Sequence, residues 1–296
     1  MFNLVQITEN TYYIDCPSKI GIYKTSEDKV FLIDSGNDSD AGRKILKILE
    51  KNNWTLEAII NTHSNADHIG GNNFLQKRTG CKIYTSGIEK CFTEHPVLEP
   101  SFLYGGFPDS SLRNKFLMAK PSSALDISEA ELPEGFEIFN LKGHFFDMIG
   151  VRTPDDICFI ADSVFGRKTI EKYHISFIYD VKGFLETLDY LEKMECKTFV
   201  PSHADVTDDI HSLVSMNRNK VIEILDRIML FCRDGLSMDE LISNIFSSYD
   251  LTMNMGQYVL VGSTIRSMVS YLCDSGRLSV SFEDNLPIWK TQEIVS

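Results

Sequence analysis

Thr62-His63-Ser64-Asn65-Ala66-Asp67-His68-Ile69-Gly70-Gly71 is the stretch on which the fold and chemistry of this chain turn. It follows Ala58-Ile59-Ile60, a short apolar run that reads as a strand. A polar loop at a strand end projects several side chains from one compact place, and the paired glycines let the backbone turn sharply into a helix. His63 and His68 offer imidazole nitrogens and Asp67 a hard oxygen, the donor mixture of zinc or iron sites. Polar loops also hold histidines for purely structural reasons, so this stretch alone leaves both roles open.

Three later features point the same way. Gly143-His144 follows an expected strand at 136–141, Ala161-Asp162-Ser163 closes the apolar run 157–160, and Pro201-Ser202-His203 closes Phe199-Val200. Each sets one candidate ligand just past a strand end, where side chains converge at a sheet edge. Four of the seven histidines occupy such positions. His95, His174 and His211 do not, and surface or hydrogen-bonded roles are expected for them, with His174 placed where it can face the same cleft.

The ordered set H-x-N-x-D-H (63–68), G-H (143–144), A-D-S (161–163) and P-S-H (201–203) resembles the metallo-β-lactamase superfamily, and Ile33-Asp34-Ser35-Gly36 resembles that family's first strand-end motif. The resemblance spans residues 1–205 and implies an αββα four-layer sandwich with metal ions at one edge. It implies one ion held by His63, Asn65 and His144, a second by Asp67, His68 and His203, and Asp162 bridging both. It further implies a metal-activated water as nucleophile, oriented by Asp67, acting on an ester, thioester, amide or phosphodiester bond of a small-molecule substrate. Zn2+ is the expected ion, with Fe or Mn as alternatives.

Asn65 departs from the pattern, because the family places a histidine there. An amide is neutral and offers one carbonyl oxygen, so the first ion is expected to bind more weakly than the second. The flavin-partnered diiron members carry Glu at the equivalent position, so the alternative is a diiron redox or metal-sensing protein, or a catalytically degenerate binding protein of the same fold.

Around these motifs the chain divides in two. Short alternating runs at 11–14, 20–23 and 30–33 read as antiparallel strands, and a helix capped by Ser39 follows. Residues 95–133, proline-rich and carrying Gly105-Gly106, read as an inserted excursion over the active site, with Phe102, Tyr104, Phe107 and Phe116 available to wall a pocket or a homodimer contact. Residues 1–207 thus form the expected catalytic domain. Residues 208–296 read as a small helical, winged-helix-like domain: helices at 210–232, from Ser237 (capping box with Glu240) and at 257–273, then strands at 277–280 and 287–290.

Charge and composition narrow the partners. The 296 residues carry 29 basic and 42 acidic side chains, a formal net charge of −13, and residues 205–296 alone hold 7 basic against 13 acidic. Nucleic acid and anionic membrane surfaces are disfavoured despite the winged-helix-like pattern. Arg167, Lys168 and Lys172 are the exception near Asp162, read as solvated charge or as an anion contact. Seven scattered cysteines without C-x-x-C spacing argue against disulfides or a cysteine zinc knuckle, and no basic-then-apolar leader is evident, so a cytoplasmic location is expected.

Overall fold

The computed structural model describes residues 2–292; the last four positions of the expected C-terminal domain lie outside them. The first sheet is built in chain order from β1 (Asn3–Gln6), β2 (Thr11–Asp15), β3 (Ile20–Lys24) and β4 (Lys29–Ile33), which pair antiparallel. After helix α1 (Ser39–Lys51), β5 (Thr55–Ile60) adds parallel to β4. The ligand-bearing loop then runs into the short helices α2 (Ala66–Ile69) and α3 (Asn72–Thr79) before β6 (Lys82–Thr85). Helices α4 (Glu89–Glu94) and α5 (Leu98–Tyr104) lead to the two-residue β7 (Leu125–Asp126) at the sheet edge.

The second sheet has the order β11-β10-β9-β8, from β8 (Glu137–Asn140), β9 (Ile149–Arg152), β10 (Ile157–Phe165), helices α6 (Arg167–Tyr173) and α7 (Val181–Glu192), and β11 (Thr198–His203). Helices α8 (His211–Phe231), α9 (Met238–Ser248) and α10 (Met255–Asp274) and the hairpin β12 (Leu278–Glu283) and β13 (Leu286–Thr291) complete the chain.

Alternation within the strands sorts the core into layers. In β4, Val30 and Leu32 face α1 and α3, packing with Ile45, Leu49 and Leu75, while Phe31 and Ile33 face the other sheet and meet Ile149, Val151 and Phe159. In β10, Ile157 and Phe159 point between the sheets, whereas Cys158 and Ile160 point outward toward α7. A strand buried on both faces reads as an unbroken apolar run, which is why both centres lacked polar alternation. The result is the expected α/β sandwich of helix, sheet, sheet and helix. The outermost apolar cluster continues from β10 and α7 into α8, α9 and α10.

Three local expectations need correction. The cap of α1 is Asp38, not Ser39: its carboxylate accepts from the Asp40 and Ala41 amides at 2.9 Å. Asp162 does not end its strand, because β10 runs on to Phe165 through two register irregularities, with Ala161 at φ 47°. Helix α6 lies where only a basic cluster was expected. The Ser237–Glu240 capping box is present as expected.

Candidate metal centre

Because β4, β5 and β6 run parallel, as do β10 and β11, the segments after their carboxyl ends gather along one rim. The loop after β5 is bound to both sheets. Asp34, at the end of β4, accepts from the Thr62 amide and hydroxyl, both at 2.8 Å, and the Thr62 carbonyl accepts from the Ile149 amide at 2.9 Å. Close approach fixes the glycines here: a Cβ on Gly70 would sit 2.2 Å from the Asn37 carbonyl carbon, and one on Gly143 2.2 Å from the Phe184 nitrogen.

Four histidines converge with the same ring face inward. The Nδ1 of His68 meets Asp34 Oδ2 at 2.8 Å, that of His144 the Phe177 carbonyl at 2.9 Å, that of His203 the Pro17 carbonyl at 3.0 Å, and that of His63 the Thr62 hydroxyl at 3.1 Å. A carbonyl only accepts, so Nδ1 of His144 and His203 carries a proton and Nε2 is the nitrogen turned toward the centre as the candidate metal donor. Two groups of donors result, His63 with His144 and Asp162, and Asp67 with His68 and His203, each with its ligand atoms within 4.8 Å of one another.

These atoms are short of partners. His63 Nε2, His68 Nε2 and Asp162 Oδ1 are buried and make no hydrogen bond, although His68 Nε2 and Asp162 Oδ1 are 3.2 Å apart. Buried polar atoms are normally satisfied, and orphans converging on one point are what a cation's ligands look like without it. The donor set, imidazole nitrogens with carboxylate oxygens, suits zinc, iron or manganese.

Asn65 is turned into this cluster. It stands at the N-cap of α2 but makes no capping bond, forgoing the usual use of an Asn there. Its amide instead donates from Nδ2 to Glu99 Oε1 at 2.8 Å, leaving Oδ1 3.1 Å from His144 Nε2. Two lone pairs facing each other at that distance repel unless a proton or a metal ion lies between them. Glu99, buried on α5, comes from the proline-rich excursion, and burial holds its carboxyl well above the usual carboxylate range. Glu89, also fully buried, accepts from the Ser64 amide and hydroxyl and from the Asp147 amide, bracing the loop between His63 and Asn65; burial pushes its carboxyl up to about 7.

The two groups differ in charge. Burial depresses His63 and His144, so both are neutral at pH 7. Burial also opposes charge on His68 and His203, but Asp162 and Asp67 overcome it, lifting His68 well above its ordinary value and His203 to about 10. Despite burial, His203 and His68 in turn hold Asp162 well below the usual range. Asp67, its side chain 40% exposed, has Oδ2 3.2 Å from His203 Nε2 and is the ligand-group carboxylate most open to solvent.

The structure thus brings together all seven residues implied by the resemblance. A family model for the metallo-beta-lactamase superfamily matches residues 13–203, ending on the last of these histidines. The chain belongs to the metallo-beta-lactamase superfamily. Among solved structures it is similar to a beta-lactamase domain protein from Burkholderia ambifaria, at 14% identity and TM-score 0.75, over 98% of this chain and 94% of that one. A metallo-beta-lactamase family protein from Thermus thermophilus matches at 13% identity and TM-score 0.70, over 99% and 98%. A metallo-beta-lactamase from Pontibacter korlensis, at 20% identity and TM-score 0.55, covers 73% of this chain and 96% of its own. At these identities the likeness is one of fold, and with the first two it extends through the C-terminal helices. Superfamily membership and the His/Asp cluster support a metal-dependent hydrolase.

Sequence reasoning marked Asp34 only as part of a motif and overlooked Glu89 and Glu99. The signal for Glu99 was weak, a lone acid among prolines, because its burial depends on where α5 packs. His174 turns from the cleft and stacks on Tyr249 at 5.0 Å, and His211 pairs with Asp209 at the surface. Phe102 packs against Phe146 and Tyr179, while Phe107 and Phe116 are exposed. A separate cluster of Asp156, Cys158 and Cys196 lies at the other end of β10, but Arg152 and the Lys197 amide already occupy its carboxylate. Among the described residues no helix is long and apolar enough to cross a membrane.

Proposed function

We propose that the chain is a zinc-dependent hydrolase in which His63, Asn65 and His144 hold one ion, Asp67, His68 and His203 hold the other, and Asp162 lies between them. The observation that carries this is the shared orientation of the four imidazoles, each anchored through Nδ1 with Nε2 turned toward one of two adjoining donor groups. Divalent cations bound there supply Lewis acidity and a water that ionises near neutral pH. Asp67, its side chain 40% exposed beside His203, would orient that water. Asp34 and the Phe177 and Pro17 carbonyls hold the rings of His68, His144 and His203 in a preset orientation.

The target is an ester, thioester, amide or phosphodiester bond in a small molecule. The acidic surface, −13 overall, supports that choice over nucleic acid. Loading the purified protein with zinc should give hydrolysis of generic thioesters, lactones or bis-nitrophenyl phosphate that a chelator abolishes and zinc restores. Asp67→Asn should lower kcat by roughly 100-fold or more. A protein that retains no first-row metal after loading, or hydrolysis indifferent to both treatments, sinks the proposal.

The amide oxygen of Asn65 favours a second reading, since an oxygen donor in place of imidazole suits iron or manganese better than zinc. A redox or sensing role would then bring iron in the isolated protein and a near-ultraviolet charge-transfer band, which zinc cannot give.

A further inference from the structure

The candidate centre opens into a cleft of 560 Å³, within the range of small-molecule sites. His144, Asp162 and His203 line it at one end. Its walls are largely apolar and include Phe177 together with Leu260 and Val261 of α10. The C-terminal region therefore closes the cleft against the catalytic sandwich.

Two exposed cations border this cleft. Lys168 and Lys172, four residues apart on α6, share one helix face, and both line the cavity. Their neighbour Arg167 points elsewhere and pairs with Glu171, Nη1 to Oε1 at 3.7 Å. Among the described residues neither lysine has a carboxylate within ion-pairing distance, and Lys172 Nζ bonds only the Tyr173 hydroxyl, at 2.9 Å. In a chain with 42 acidic side chains, two unpaired ammonium groups on one face beside a largely apolar cavity form a local anion site against the overall field.

We infer that this cleft selects amphiphilic anions: substrates with an apolar acyl or aromatic body beside the scissile bond and a carboxylate or phosphate that reaches Lys168 and Lys172. The inference rests on the hydrolase reading for turnover, but anion binding does not depend on it. The apolar body displaces water from the walls, and the shared charge of the lysines sets orientation. Carboxylate and phosphate satisfy the same ammonium groups, and matched esters bearing one or the other distinguish them.

The test uses the full-length zinc-loaded protein and three matched nitrophenyl esters: neutral hexanoate, its ω-carboxylate and its ω-phosphate. One anionic ester or both should show KM lower by roughly fivefold to tenfold, and added salt should narrow the gap. The double variant Lys168→Ala/Lys172→Ala should abolish this preference, whereas Arg167→Ala, which removes charge outside the cleft, should keep it. Calorimetry with adipate, hexyl phosphate and hexanol gives the same comparison without turnover. If no ester is cleaved but the anions bind through the two lysines, the hydrolase proposal fails and the anion site stands. Equal KM for all three esters, equal affinity for all three calorimetric ligands, or a preference that survives the double variant overturns the inference.

Discussion

The two halves of the candidate centre are built from similar side chains and carry different charge. The half formed by Asp67, His68 and His203 contains a carboxylate of its own, and Asp34 backs His68 from behind. Its histidines hold protons in the metal-free protein because carboxylates outweigh burial. The half formed by His63, His144 and Asn65 has no carboxylate beyond Asp162, which it shares with the other half; its histidines are neutral, and it adds an amide oxygen positioned by Glu99. The contrast teaches that the charge of each half is set less by the count of imidazoles than by where the carboxylates lie.

The most severe way to break the contrast is Asp162→Asn. Asp162 adjoins both halves, so its neutralisation should weaken zinc binding by at least ~100-fold in each and end hydrolysis. A competitive chelator titration checks this, and a variant that keeps one tight site would show that the halves are independent. Asn65→His should instead make the halves alike, raising the weaker affinity by roughly 10–100-fold, read as two superimposed zinc transitions in place of two separate ones. Glu99→Ala should free the Asn65 amide to turn and weaken only that half, by about tenfold, with cobalt stoichiometry and absorption as the measure. Equal loss in both halves would mean that Glu99 supports α5 rather than the amide.

The smallest effect is a dependence on pH. His203, raised from 6.5 to about 10, stabilises the metal-free fold fully below pH 6.5, and that contribution is lost as the pH climbs toward 10. Melting temperatures of the metal-free protein should therefore fall over that window. Zinc uptake at pH 7 should release protons from His68 and His203, seen as a buffer-dependent binding enthalpy. Zinc binding with no proton release would contradict the charge assigned to that half.

Much of the molecule was legible beforehand for a local reason. Strands buried on both faces have to be apolar runs, and residues that end such runs at a parallel sheet's carboxyl edge have to meet, so the histidines at 63, 68, 144 and 203 and Asp162 declared themselves by position. The capping box at Ser237 was equally local. Asp38 in place of Ser39 was lost because two adjacent residues both suit a cap and only backbone direction chooses between them. Helix α6 and the continuation of β10 past Asp162 were missed because neither follows a clean period.

The sequence by itself determined which donor-bearing residues close the apolar runs and in what order, since apolar patterning and donor type are properties of neighbours along the chain. Tertiary structure alone decided which histidine nitrogen faces inward, that Glu99 meets the amide of Asn65 from 34 positions away, and that Lys168 and Lys172 share a cleft with α10. Those facts depend on burial and on contacts between distant segments, and both are set by packing rather than by any local pattern.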